Sequence, residues 1–473
     1  MNYTIKIKLL ALAGVCTIFS SFQFNQQKEE NTSDPPNIIF LLADDMRHDD
    51  MSFVDPSRAV TPHLDKLASM GTIFTNGYVT TAICAVSRAS ILTGKYARRH
   101  GIYGFTTPLQ GEAWQQTYPM ELKKAGYKTG FVGKYGLNIW VPDEQKQYPS
   151  ADFDYWFVPG PGTKLFLPDE KGREAHYTRM LGIKALQFIN DFQEGPFCLS
   201  LSFLAPHGSL KPNPDFEGDF DHKTVPLPPN FGDEYYAKLP APFHGEESIF
   251  GRHNSLEKLN NYENLQDFLR VRMNKIYGLD LVVGKIILEL QSLGIADNTI
   301  IVFSSDHGYY TGEHGLNGKW WMHEESVRVP MIIYDPRLPK GVAHKTMDEK
   351  VLNIDIAATL MDYAGVQPHE SVQGRSMKPL VDGENVNNWR DEFYFEQHFD
   401  LTSTKSPHRI PPVEGVVGER YKYMNYFKHG GSEELYDYLE DPFEKHNLVD
   451  NPAYTMALNR MREKYKQMKE ELK

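Results

Sequence analysis

Four apolar runs in this chain each stop at a residue with chemistry to offer. Ile38-Ile39-Phe40-Leu41-Leu42-Ala43 ends in Asp44-Asp45; Lys128 to Val132 leads into Gly133-Lys134; Phe197 to Leu204 leads into Ala205-Pro206-His207; Thr299 to Ser305 leads into Asp306-His307-Gly308. Short, nearly continuous apolar runs bounded by polar residues predict strands buried on both faces. Met331 to Tyr334 predicts one more. Between them the spacing is helical. Thr61-Pro62 opens a helix through Met70 that stops at Gly71, and further helices are expected over Cys84 to Gly94, Met120 to Ala125, Tyr177 to Phe192 and Leu265 to Leu293, the last closed by Gly294. Asn353 is expected to cap a helix running to Tyr363. Pro212 to about Asn254 lacks periodicity and is long for a loop, which suggests a lid or binding loop. Strand-like alternation returns at Glu392 to Glu396 and Lys422 to Phe427, before a charged helix over about Ala453 to Leu472.

Strands alternating with helices predict an α/β fold around a large, mostly parallel sheet. The 473 residues suit a catalytic domain over 34–385 and a smaller α+β subdomain over 386–473, with a small antiparallel sheet and a terminal helix. Residues 1–25, with Lys6 and Lys8 ahead of the apolar Leu9 to Ile18, read as a secretory signal. A lipoprotein signal would want a small residue where Val15 stands before Cys16. Export to the periplasm with cleavage is therefore expected ahead of lipid anchoring at Cys16. Loss of that segment leaves Cys84 and Cys198, which make no disulfide framework.

Fifty basic against 62 acidic residues give a net charge of −12, which argues against nucleic acid as a partner. Any pocket for an anion must then be a local positive island. In open sheets of this kind ligands bind beyond the carboxyl ends of the strands, where Asp44, Asp45, Lys134, His207, Asp306 and His307 are expected. Adjacent carboxylates repel unless a cation lies between them, and oxygen ligands suit calcium or magnesium; capping or turn aspartates are the ordinary alternative. Cys84 begins a short helix with Arg88 one turn on, so the helix N–H groups and the guanidinium would hold an oxygenated anion beside the sulfur. The competing reading is a buried structural cysteine. Lys134 taken alone reads as a solvated loop lysine, and His207 as structural.

Cys84-Ala85-Val86-Ser87-Arg88-Ala89-Ser90-Ile91-Leu92-Thr93-Gly94 resembles the signature of the type I, formylglycine-dependent sulfatases of the alkaline-phosphatase-like superfamily. Gly133-Lys134-Tyr135-Gly136-Leu137-Asn138 and Gly318-Lys319-Trp320-Trp321-Met322-His323-Glu324-Glu325-Ser326-Val327-Arg328-Val329-Pro330 resemble two further stretches of that family. The resemblance implies a large mixed, mostly parallel sheet sandwiched by helices, with Cys84 oxidised to formylglycine by a formylglycine-generating or anaerobic sulfatase-maturating enzyme. It implies one Ca²⁺ held by Asp44, Asp45, residue 84, Asp306 and His307. It also implies Asp306 as base, Lys134 and Lys319 as sulfate ligands that with Arg88 balance the charge, and His207 as a substrate-binding residue and proton donor to the leaving oxygen. Glu324, Glu325 and Arg328 read as a structural charge network. The chain departs from the family pattern at Val86, where proline or alanine is usual, and at Gly136, where histidine is usual; at the place of His307 the family usually has asparagine and sometimes histidine. The implied substrate is a sulfated carbohydrate; the Lys319 stretch resembles sulfatases acting on 6-sulfated N-acetylglucosamine, as in a glycosaminoglycan. His398, Arg409 and His429 are candidates for reading the sugar, or else solvated surface residues. No stable protein partner is evident. Rival readings are a phosphonate or phosphodiester hydrolase on the same scaffold, and a glycan-binding protein without turnover.

Overall fold

The computed structural model describes residues 34–137, 148–160, 166–168, 172, 174–207, 211–244, 262–339, 342, 344–399, 410–428 and 430–472. The expected signal segment and Cys16 lie outside them. Among the described residues no helix is long and apolar enough to cross a membrane.

The run Asn37–Asp44 is β1, and every one of its residues is buried. It occupies the centre of an eight-stranded sheet in the order β8-β2-β7-β6-β1-β5-β3-β4. The other strands are β2 (Thr72–Tyr78), β3 (Lys128–Gly133), β4 (Tyr155–Phe157), β5 (Phe197–Pro206), β6 (Thr299–Ser305), β7 (Met331–Tyr334) and β8 (Lys345–Leu352). β1 pairs in parallel with β5 and β6, and β3 in parallel with β5 and β4. β7 runs antiparallel to both β6 and β2. The sheet is thus mixed and mostly parallel. Consecutive strand residues face opposite sides, and both sides of β1 find apolar partners. Ile39, Leu41 and Ala43 meet α1 (Pro62–Met70), α3 (Tyr177–Phe192) and α4 (Tyr262–Ser292), whereas Ile38, Phe40 and Leu42 share a core with α2 (Cys84–Thr93) and α5 (Asp355–Tyr363).

That second core continues without a break into the small antiparallel sheet β9 (Phe393–Gln397), β10 (Val413–Val417), β11 (Tyr421–Tyr426) and β12 (Ser432–Asp437), and into α6 (Thr455–Glu471). Pro35–Lys473 forms one compact unit.

Two helix starts differ from their expected form. Thr61 makes no side-chain cap to α1; the backbone N–H groups of His63 and Leu64 donate instead to Asp280 of α4, at 3.1 and 2.7 Å. Asn353 does not cap α5, which starts at Asp355. Its side chain accepts from Thr80 N–H at 3.1 Å and donates to Ser87 Oγ at 2.9 Å, fixing the approach to α2. The stretch after Pro212 holds helical turns at Pro214–Phe216, Asp233–Tyr236 and Ala241–Phe243 rather than open loop throughout.

Gly133 closes β3 with φ 107°, and a Cβ there would lie 1.9 Å from the Ser202 carbonyl oxygen, the same oxygen that accepts Lys134 N–H at 2.8 Å. Only glycine fits this crossing of β3 and β5. Gly133→Ala is expected to lower the unfolding free energy by about 3 kcal/mol, read from urea denaturation, because backbone rather than a flexible side chain must move.

Candidate active site

β1, β5 and β6 end together. His207 N–H donates to Asp44 O at 3.0 Å and Asp306 N–H to Ala43 O at 3.1 Å, so the residues after each strand are held at one edge. Asp45 turns the chain away from β1 with φ 70°, an uncommon conformation for a side-chain-bearing residue. It is held there by its N–H on Asp306 Oδ1 at 3.3 Å and by Arg272 of α4, whose Nη2 donates to Asp45 O at 2.8 Å and to Asp50 Oδ2 at 2.6 Å.

α2 starts at Cys84, after Ile83 in an extended conformation, and stops at Gly94 with φ 66°; all ten of its residues are buried. Burial of the whole helix brings Cys84 and Arg88, one turn apart, to the same place. Arg88 donates from Nε to Asp306 Oδ2 at 2.8 Å, from Nη2 to Asp44 Oδ2 at 3.2 Å, and from Nη1 to Lys134 O at 2.7 Å and to Ser202 Oγ. Lys134 Nζ pairs with Asp44 Oδ2. Lys319 Nζ stands 2.6 Å from Asp45 Oδ1 and 3.0 Å from Cys84 Sγ. His307 places Nε2 3.2 Å from Cys84 Sγ and 3.5 Å from Asp306 Oδ1, and Nδ1 3.3 Å from Asp45 Oδ1 and 2.9 Å from Gly308 O. His207 sits at the rim, its side chain 37% exposed and its Nε2 3.8 Å from Asp45 Oδ2. Residues 44, 45, 84, 88, 134, 207, 306, 307 and 319 therefore meet at one spot, as their strand ends suggested.

Charge governs this spot. Burial alone would raise Asp44 and Asp45, but Lys134, His207 and Arg88 around the first and Lys319, His207 and His307 around the second hold both carboxyls below their usual range. Burial would likewise raise the Cys84 thiol, and the ammonium groups of Lys134 and Lys319 bring it below its ordinary value. His307 is the reverse case: burial lowers it, and the carboxylate of Asp306 takes it up to about 9. Cys198, expected to be inert, is buried in β5 and pushed up to about 12 by burial.

Ligand atoms of Asp44, Cys84, Asp306 and His307 all lie within 4.8 Å of one another, as do those of Asp44, Asp45, Cys84 and His207. Two of the four residues in each set are carboxylates, and all the residues except the half-exposed His207 are buried. A donor set so rich in oxygen fits a divalent hard cation.

Gly136 has a physical reason. Its φ is 80°, and a Cβ would lie 2.5 Å from Arg88 Cδ. The Arg88 side chain lies against the glycine, so a larger residue there displaces the guanidinium from Asp44 and Asp306.

The three proposed sugar readers fare differently. Arg409 and His429 lie outside the described residues. His398 stacks on Tyr103 with ring centroids 5.2 Å apart and has Nε2 2.8 Å from Glu414 Oε1. Glu414 also accepts from Tyr465 at 2.6 Å and pairs with Lys469 and Arg98, so His398 belongs to a network tying α6 to the small sheet. Ser202 and Arg272 support the site and were not singled out from the sequence, and Asn353, expected only as a helix cap, supports it as well. A serine inside a strand, an arginine on a helix 220 residues away and a loop asparagine carry no local mark, and only the fold brings them here.

The Glu414 network predicts a pH effect. Burial raises its carboxyl, while the hydrogen bonds from His398, Lys469 and Tyr465 bring it from 4.5 down to about 2. Its stabilisation is complete above pH 4.5 and is lost as pH falls toward 2. The melting temperature of Glu414→Gln is expected to fall less steeply than that of the wild type between these pH values, starting from a lower plateau at neutral pH.

Residues 36–366 match the sulfatase family, and residues 312–471 match the C-terminal region of N-sulphoglucosamine sulphohydrolase. The chain is 28% identical to an N-acetylglucosamine-6-O-sulfatase of Bacteroides thetaiotaomicron over 91% of this chain and 85% of that protein. It is 30% identical to an arylsulfatase of Clostridium perfringens over 90% of this chain and 93% of that one. Among solved structures it is similar to a protein in complex with its substrate D-glucosamine-2-N,6-O-disulfate (TM-score 0.78, 24% identity, 93% of this chain and 98% of that chain). It is also similar to a phosphonate monoester hydrolase from Silicibacter pomeroyi (TM-score 0.76, 21% identity, 93% and 96%).

Proposed function

The chain belongs to the sulfatase family and is a sulfuric ester hydrolase, and from that premise we propose that it removes 6-O-sulfate from N-acetylglucosamine units of a sulfated glycan such as a glycosaminoglycan. The observation that carries the chemical part of this reading is the placement of Cys84 Sγ 3.0 Å from the Lys319 ammonium and 3.8 Å from Asp44 Oδ1, at the mouth of a buried helix. The sugar rests on relatives: the bacterial protein above, and a human N-acetylglucosamine-6-sulfatase 27% identical over 79% of this chain and 69% of that one.

Residue 84 is read as formylglycine, whose hydrate supplies two hydroxyls on one carbon, one to attack sulfur and one to expel sulfate afterwards. Calcium held by Asp44, Asp45, Asp306 and His307 would draw charge from the sulfate oxygens and make that hydrate more acidic. Lys319, whose Nζ is 3.0 Å from Cys84 Sγ, and Lys134, which pairs with Asp44, would take up the charge that grows on the transferred group, aided by the N-terminus of α2. Arg88 pairs with Asp44 and Asp306, and Asp306 would take the proton of the attacking hydroxyl. His207, at the exposed rim, would protonate the departing alcohol. Burial and the charges of Lys134 and Lys319 hold its imidazole at about 4, against the pull of Asp45. A sulfate bound by the lysines would offset part of their charge and favour the protonated imidazole. We further propose export to the periplasm and maturation of residue 84 by a formylglycine-generating or anaerobic sulfatase-maturating enzyme.

The test is mass spectrometry of the Cys84 peptide after expression with a maturing enzyme, together with sulfate release from a defined panel. Formylglycine at residue 84 and preference for 6-sulfated N-acetylglucosamine over its 3-sulfated, 4-sulfated and phosphonate monoester counterparts is the expected result. An unmodified thiol without turnover would make the protein a binder, and faster phosphonate hydrolysis would place it with the hydrolases of that class. Lys319→Ala is expected to lower turnover several hundredfold, about 3 to 4 kcal/mol of transition-state stabilisation; a change under threefold removes Lys319 from the site.

A further inference from the structure

Lys319 stands between a two-strand ribbon, Tyr310–Thr311 with Asn317–Gly318, and the short helix Glu324–Val327. The residue after it, Trp320, has φ 100°, so this turn does not adopt its shape from local preference. Its flanks end on buried charges of the small C-terminal sheet. Glu324 Oε1 lies 2.6 Å from Nζ of Lys422 on β11, and Lys422 reaches Glu444 Oε1 at 2.7 Å. Glu444 Oε2 in turn accepts the Glu324 backbone N–H at 2.9 Å. His323, just ahead of the helix, has Nδ1 2.8 Å from Tyr310 OH, stacks on His314 at 4.3 Å, and has Nε2 3.7 Å from Glu434 Oε1 on β12. Glu434 also accepts from Tyr426 at 2.7 Å and Tyr436 at 2.9 Å. Lys422, Glu434 and His323 have no solvent exposure at all. Between these two anchors Trp321 packs on Phe243 with ring centroids 4.9 Å apart, and Met322 lies against Gly415 of β10.

We infer that Lys422 and Glu434 are positioning residues for the hydrolytic reaction: the small sheet holds the 319–324 turn so that the Lys319 ammonium stays against residue 84. This rests on the reading of Lys319 as a sulfate ligand. Removing the Lys422 ammonium leaves the carboxylates of Glu324 and Glu444 buried without their countercharge, so the turn they belong to must shift to relieve them. Arg47 holds the near part of this segment through Thr311 Oγ1 at 3.2 Å and through Glu313, and Asn230 O accepts His314 N–H at 2.7 Å; the small sheet holds the part beyond Lys319. The small sheet thereby becomes part of the working site without supplying a group that touches substrate.

The experiment is a double-mutant cycle on the matured enzyme, with sulfate-ester turnover as readout and thermal melting to confirm folding. Lys422→Met and Glu434→Gln are each expected to lower kcat about tenfold. In a Lys319→Ala background each is expected to add less than a twofold loss, since the group they position is gone. Losses that multiply in the double variants, or single variants with unchanged kcat, overturn the inference while leaving Lys319 in its role. A Lys319→Ala protein with normal turnover overturns both. Should Lys422→Met fail to fold, Glu434→Gln, which keeps the shape of its side chain, decides the question.

Discussion

Three carboxylates buried at the ends of two neighbouring strands cannot coexist without countercharge, and the arrangement of this protein follows from that. Ligand oxygens of Asp44 lie within 4.8 Å of those of Asp45 and of Asp306, a range at which two such charges repel by about 3.5 kcal/mol or more at an effective dielectric of 20. Arg88, Lys134 and Lys319 answer the three charges of Asp44, Asp45 and Asp306, and they arrive from a helix, a strand end and a turn. The same balance that holds the carboxylates ionised draws positive charge around residue 84. An otherwise acidic chain of net charge −12 thus keeps one island suited to an anion.

The scaffold makes the balance rigid. β1 lies between β5 and β6 in register, so their ends deliver Asp44, His207 and Asp306 to one edge with backbone hydrogen bonds between them. β7 interrupts the parallel order, and the chain reaches it from the turn that carries Lys319. On the other face α2 shares one buried core with the main sheet and the C-terminal layer and packs against α5, so the helix that bears residue 84 is held by its surroundings.

Much of this was legible from residue order. Continuous apolar runs marked β1, β5 and β6 because strands buried on both faces need no polar alternation, and the residues just after them carried the chemistry. β2 and β8 were not legible. Thr72–Tyr78 mixes polar and apolar positions, and Lys345–Leu352 is an edge strand with charged residues facing solvent, so neither produces an apolar run. Asn353 looked like a cap because local sequence favours that reading, whereas its hydrogen bonds go to Thr80 and Ser87, far away along the chain. Glu324, Glu325 and Arg328 were read as a charge network, yet the partner that anchors it, Lys422, comes from a strand whose alternating aromatics gave no hint of an ion pair. What pattern reading misses here is long-range pairing of single polar residues, which leaves no periodic trace.

The glycine at 136 carries one more implication. A Cβ at that position would fall 2.5 Å from Cδ and 3.0 Å from Nε of the neighbouring arginine, in a backbone shape that disfavours any Cβ. Grafting the missing ring back onto this scaffold is therefore not a one-residue operation: the loop would have to be rebuilt around it, and the arginine rerouted, before the two side chains could share the space.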